Sequence, residues 1–145
     1  EVLSVNGRMR ESIRTFAAGW RPVVAECGGL LYLVRELDGH RMCGVLDAEA
    51  TMTDRLTLGY REARALADSP LTERDAEVRG HEFHYSTVET GDEARPAWEM
   101  IGRGQEGFVT GGVYASYLHT HWAATPELPR RLVLEASRST TGVGV

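Results

Sequence analysis

Residues 25–29 read AECGG, directly after the apolar run PVV and directly before LLYLVREL. A cysteine between a short β-type segment and two glycines matches the sharp strand-to-helix turn on which hydrolases carry a nucleophile. The glycines have a steric reason, because a nucleophile held in strained backbone needs small neighbours. On this reading Cys27 sits at the start of a helix from Gly28, where the helix N-terminus favours the thiolate and lowers its pKa. The Gly28 amide is then placed to face a developing oxyanion. Most free cysteines are small buried hydrophobes, and Cys43, in the apolar segment MCGVL, is read that way.

A cysteine nucleophile needs a base to take its proton. Five histidines are available. His40 falls in a DGHR turn and reads as solvated, His81 and His84 lie in GHEFH, and His119 and His121 lie in YLHTH. In a strand His119 and His121 face one way and Thr120 the other, which would suit half of a metal site. No third and fourth ligand with suitable spacing accompanies them, and no metal site is expected. His81 and His84, three apart, fall on opposite faces of a strand. A base near the end of a late strand, in reach of Cys27, is the simpler use of one histidine.

These residues need elements to hold them. The spacing of Met9, Ile13, Phe16 and Ala17 predicts a helix over 8–18 with Gly19 as its C-cap. Arg21-Pro22 breaks it, and 22–26 reads as a buried parallel strand. Leu30, Leu33, Val34 and Leu37 make one face of a helix from Gly28, ended by Asp38-Gly39. MCGVL, TMTDRLTLGYREARAL and RGHEFHYSTVE read as strands, with the turn clusters SPLTERD and ETGDEARP between or after them. A strand, a Gly111-Gly112 turn and a second strand follow. A final helix opens at Thr125-Pro126-Glu127. The pattern is α/β with a mixed or antiparallel middle, and 139–145 reads as a flexible tail.

A chain of 145 residues makes one domain or a large part of one. A net charge of −5 without a basic cluster argues against a nucleic-acid or polybasic membrane surface. The apolar runs are too short to span a membrane, and EVLSVNGRMR is no signal peptide. Two cysteines are too few for a disulfide framework, which fits a reducing, cytoplasmic setting. The chain starts without Met, as a piece of a longer protein would.

Four segments in this order, AECGGLLYL, LTLGYREARAL, RGHEFHYST and GGVYASYLHTHW, resemble the glutaminase half of the cobyrinic or hydrogenobyrinic acid a,c-diamide synthases, within the class I glutamine amidotransferase-like group. The resemblance runs over about residues 8–138. It implies a flavodoxin-like fold, with Cys27 attacking the side-chain amide of glutamine and His119 as its partner. Ammonia would pass to an N-terminal synthetase domain that uses ATP and Mg2+ to activate the acetate side chains of the corrin. Gly80, His81 and Glu82 would lie near the glutamine pocket, with Gly28 at the oxyanion. Arg55, Tyr60 and Arg61 would face the path to the synthetase, unless they are simply polar residues of a half-exposed strand.

The chain departs from the group twice. The group carries Glu two residues after the catalytic His, where this chain has His121. The orienting acceptor must then be another carboxylate such as Glu82, a backbone carbonyl, or His121. The group's first strand and oxyanion loop would lie before Glu1, so the expectation is a truncated domain over 1–138 with weak activity alone. Its open sheet edge would suit pairing with a second copy. Two other functions compete: an inactive docking or regulatory module, and a cysteine hydrolase of small amides.

Overall fold

A computed structural model describes residues 2–91 and 94–141. The helical spacing of the first segment is realised as α1 (Val2–Val5) and α2 (Gly7–Ala18). Asn6 caps α2 through its side chain, accepting from the Met9 amide at 3.1 Å, and Gly19 closes it. The strand expected next is β1 (Val23–Glu26), and the helix after the elbow is α3 (Gly28–Leu33).

α3 is shorter than its apolar face suggested. Val34 is already extended, and Leu37 belongs to a hairpin of β2 (Glu36–Leu37) and β3 (His40–Arg41). Asp38 and Gly39 have φ of 49° and 75°. Two successive left-handed residues, Asp then Gly, are the signature of a two-residue hairpin turn, so this pair turns a hairpin and does not end a helix. MCGVL is no strand either. Its amides bond back to the end of α3, Cys43 to the Tyr32 carbonyl and Val45 and Leu46 to that of Leu33. This collar satisfies carbonyls that a short helix leaves orphaned, and it buries Met42, Cys43 and Leu46.

Two long strands follow, β4 (Ala48–Ala65) and β5 (Glu77–Thr90), paired antiparallel with an irregularity between Met52 and Thr57. Leu58 faces Phe83 and Tyr60 faces His81 across the ladder. These side chains are exposed, while Glu82 and Ser86 alternate onto the buried face. Then come β6 (Trp98–Met100), β7 (Gly104–Glu106), β8 (Phe108–Thr110), β9 (Val113–Ser116), β10 (His119–Thr120) and α4 (Glu127–Thr141). Residues 139–141, read as tail, continue α4; residues 142–145 lie outside the described residues.

β1 runs parallel to β9, which pairs with β8 in a three-stranded sheet. β1 is at its edge. The other seven strands form a second sheet, ordered β10-β5-β4-β2-β3, with β6 and β7 continuing from β4. One apolar cluster lies around α3, β1 and the collar, centred on Leu30, Val34 and Leu46. A second gathers Trp98, Met100, Tyr114, Leu118, Leu71 and Leu128. Among the described residues no helix is long and apolar enough to cross a membrane.

Candidate active site

Cys27 occupies the junction of β1 and α3 with φ 50° and ψ −107°. A side chain pays steric strain to hold that backbone, and such strain persists only where the surroundings over-determine it. Here they do. The Cys27 amide donates to the Ser116 carbonyl at 2.8 Å, fixing the elbow to the end of β9. Gly29 lies against Ala25, where an added Cβ would come within 3.3 Å of the Ala25 side chain. The sharp turn needs that closeness. An added Cβ at Gly28 would meet open space, so the demand for a small residue falls on Gly29.

The thiol is half-buried, and Sγ approaches the Phe83 carbonyl at 3.7 Å. The expected depression of its pKa is not found. Burial raises the Cys27 thiol above its ordinary value, the Gly28 amide pulls it down by hydrogen bonding to sulfur, and the Glu26 charge pushes it up again. Desolvation is the largest of the three effects. The net direction is up, and the Gly28 amide is directed at the sulfur.

His119 lies on β10, half-buried, opposite His81 in the ladder to β5. Its Nδ1 is 3.1 Å from the His81 carbonyl. Facing an acceptor, Nδ1 carries the proton and leaves Nε2 with the lone pair. The His81 ring stacks on the His119 ring, with centroids 4.7 Å apart and planes within 10°. Of the three candidates for the orienting acceptor, the backbone carbonyl is the one that stands at His119. β10 ends at Thr120, so His121 does not share its face; the His121 carbonyl instead receives the amides of Ala124 and Thr125 in the turn that follows.

Glu82 is engaged elsewhere. It is buried, accepts from Arg61 Nε at 2.5 Å and faces His84 Nε2 at 3.6 Å. Its interaction with His84 foremost, with Arg61, holds its carboxyl below the usual range despite burial. Gly80 serves spacing: a Cβ there would run into the His119 carbonyl oxygen and the Leu118 side chain. Its bare Cα lets β10 lie against β5. His81 lines an open groove of about 780 Å³ together with Tyr60, Gly80, Ile101, His121 and Thr125. Arg61 turns inward to Glu82 and to the Tyr60 carbonyl, whereas Tyr60 is exposed.

Sequence reasoning passed over Glu106. At the end of β7, it accepts from the Ser116 hydroxyl at 2.5 Å and the Tyr117 amide at 2.8 Å. Burial pushes its carboxyl up to about 7 against those two bonds. Tyr117 continues the network to Ser86 at 2.8 Å, and its ring stacks on His84 at 3.6 Å. The Tyr117 hydroxyl is pushed up to about 12, chiefly by burial. Nothing in the spacing of EGF marked Glu106, because its partners arrive through the pairing of β8 with β9. No three His, Cys, Asp or Glu side chains converge as a metal cluster among the described residues.

This geometry, a strained elbow thiol and a histidine of fixed tautomer on a strand whose next residue, Thr120, bonds to the Glu26 carboxylate, suits nucleophilic acyl chemistry. Comparisons with known proteins agree with it. A solved glutamine amidotransferase superposes with a TM-score of 0.66 at 18% identity, over 89% of this chain and 68% of its own. A glutamine amidotransferase from Thermotoga maritima gives 0.56 at 16% identity, over 91% and 60%. These show the glutamine amidotransferase fold. Among curated proteins, the hydrogenobyrinate a,c-diamide synthase of Streptomyces coelicolor is 58% identical over 133 residues, 90% of this chain and 27% of the relative. That of Mycobacterium tuberculosis is 49% identical over 142 residues, 95% of this chain and 31% of the relative. The cobyrinate a,c-diamide synthase of Methanothermobacter thermautotrophicus is 42% identical, over 86% and 29%. The chain thus spans less than a third of the length of these curated relatives. The family model for the CobB/CobQ-like glutamine amidotransferase domain matches residues 1–127, and with the elbow, the histidine strand and the fold all in place, the chain belongs to that family.

Proposed function

We propose that this chain is the glutaminase part of an ATP-dependent synthetase that amidates the a and c acetate side chains of cobyrinate or hydrogenobyrinate, with glutamine as ammonia donor. The observation that carries the reading is the elbow: Cys27 at φ 50° tied to Ser116, with His119 held at Nδ1 by the His81 carbonyl. His119 Nε2 takes the Cys27 proton as sulfur attacks the glutamine side-chain carbon. The oxyanion collapses, the C–N bond breaks, and the proton on Nε2 goes to the leaving nitrogen, releasing ammonia. Water then loses a proton to His119 and attacks the thioester; glutamate leaves, and the thiol is restored. ATP and Mg2+ belong, on this reading, to the part of the longer relatives outside the matched region. The names of the relatives support the corrin acceptor. The cell interior as location and a homodimer through the edge of β1 complete the proposal, and size-exclusion chromatography with light scattering tests the dimer.

A glutamine analogue with an electrophilic side chain should add one mass equivalent at Cys27 and none at Cys43, and Cys27→Ser should abolish it. Joined to the remaining portion of the Streptomyces coelicolor relative, the chain should drive glutamine-dependent diamide formation from hydrogenobyrinate, read by mass. Cys27→Ser should then retain only conversion fed by free ammonia. Labelling that spares Cys27 would leave an inactive module as the better reading.

A further inference from the structure

Glu26 precedes the nucleophile and Thr120 follows the base, 94 positions apart in sequence. In the fold they meet. Glu26 Oε1 accepts from the Thr120 amide at 3.1 Å and from the Thr120 hydroxyl at 2.6 Å. The hydroxyl oxygen itself accepts from Trp122 Nε1 at 3.0 Å. The segment 116–120 is thereby fastened at both ends to the nucleophile's strand: Ser116 to the Cys27 amide, Thr120 to Glu26. His119 sits between the two fastenings. β10 has only two residues and pairs with β5 alone, so its ladder does not fix its distance from β1.

We infer that Glu26 is a positioning residue for Cys27 and His119, setting their separation by pinning Thr120 to the end of β1. It touches no reacting atom: apart from the charge that raises the Cys27 thiol, it acts through Thr120. The inference rests on the reading of Cys27 as nucleophile and His119 as base. Both bonds end on a single oxygen, which yields a sharp distinction. A glutamine side chain keeps an oxygen able to accept both, whereas alanine keeps none.

The test is the labelling rate of this chain with the electrophilic glutamine analogue, resolved into a maximal rate and a half-saturating concentration. Glu26→Gln should stay within about threefold of the unaltered chain, and Glu26→Ala should lose about 10- to 100-fold in maximal rate at unchanged half-saturation. Thr120→Val should fall in the same direction and Thr120→Ser should recover. Because both act through one contact, Glu26→Ala with Thr120→Val should be no slower than the slower single variant. Full-rate labelling of Glu26→Ala, additive losses in the double variant, or a Gln variant as slow as Ala would each overturn the inference. If Glu26→Ala does not fold by thermal melt, the Thr120 pair decides alone. If the analogue labels nothing, the glutaminase reading fails, and iodoacetamide alkylation of Cys27 takes over. Positioning then stands where Glu26→Ala loses the same rate advantage as His119→Ala, and falls where it does not.

Discussion

At the scale of single residues, the site is governed by what burial does to ionisable groups. Cys27 is desolvated, and its thiol is raised. Its alkylation by iodoacetamide in His119→Ala should therefore keep accelerating as pH climbs past the ordinary thiol range, where a free peptide thiol has levelled off. Glu82 and Glu106 are carboxylates of one network with opposite shifts. Glu82 is lowered by His84 and Arg61, so it adds stability above its unfolded value that is lost as pH falls through its folded one. Glu106 is raised from 4.5 to about 7, so the folded state binds its proton more tightly, and stability falls as pH rises across that window. The groups facing it are Ser116, the Tyr117 amide, Glu82, His84 and Tyr114. Glu106→Gln should gain on the unaltered chain between pH 5 and pH 8 by up to about 3 kcal/mol. Urea midpoints at the two pH values check it; a difference independent of pH would contradict the buried-carboxyl account.

At the scale of elements, Gly80 shows how a strand is admitted to a sheet. A methyl group there would push β10 off β5. Gly80→Ala should destabilise the fold by about 1–3 kcal/mol and slow Cys27 labelling more than its stability loss explains, as measured by urea unfolding beside the labelling assay. Much at this scale was legible in the sequence. The elbow showed because its strand, cysteine and glycines are contiguous, and β4 and β5 showed because half-exposed strands alternate. α3 was overread because Leu33, Val34 and Leu37 fit a helical face as well as a buried bend and a strand, and only the left-handed Asp38-Gly39 pair decides between them. Glu26 and Glu106 stayed hidden for a different reason. Each is an ordinary carboxylate until strand pairing brings Thr120 or Ser116 to it, and no local pattern records a partner so distant.

At the scale of the whole molecule, two sheets are joined by buried polar ties. Tyr114 on β9 receives the indole N–H of Trp98 on β6 at 3.0 Å, and Tyr117 meets Ser86 on β5 at 2.8 Å. These cross from the three-stranded sheet, or the segment leaving it, to the larger one. Removing one acceptor leaves a buried donor unmatched. Tyr114→Phe should cost about 1–3 kcal/mol and Leu30→Ala about 2–5 kcal/mol, read by chemical denaturation. Near-equality of both variants with the unaltered chain would mean that these clusters are looser than their burial implies.

The parallel pairing of β1 with β9 joins Val23 to Val113 and Glu26 to Ser116. That register has a consequence in time. A growing or refolding chain can form α2 and the β4–β5 ladder from neighbouring sequence. The backbone around Cys27, however, acquires its tether only when the last third of the molecule closes onto the first. Contacts between such remote positions make folding slow, on the order of milliseconds to seconds. Throughout that interval the thiol lacks its native surroundings. Stopped-flow refolding followed by pulsed alkylation should show Cys27 gaining its native reactivity in the slowest phase, after the helices have formed. The elbow is thus a clock for completion: a chain that has not finished folding does not yet hold Cys27 in its native backbone.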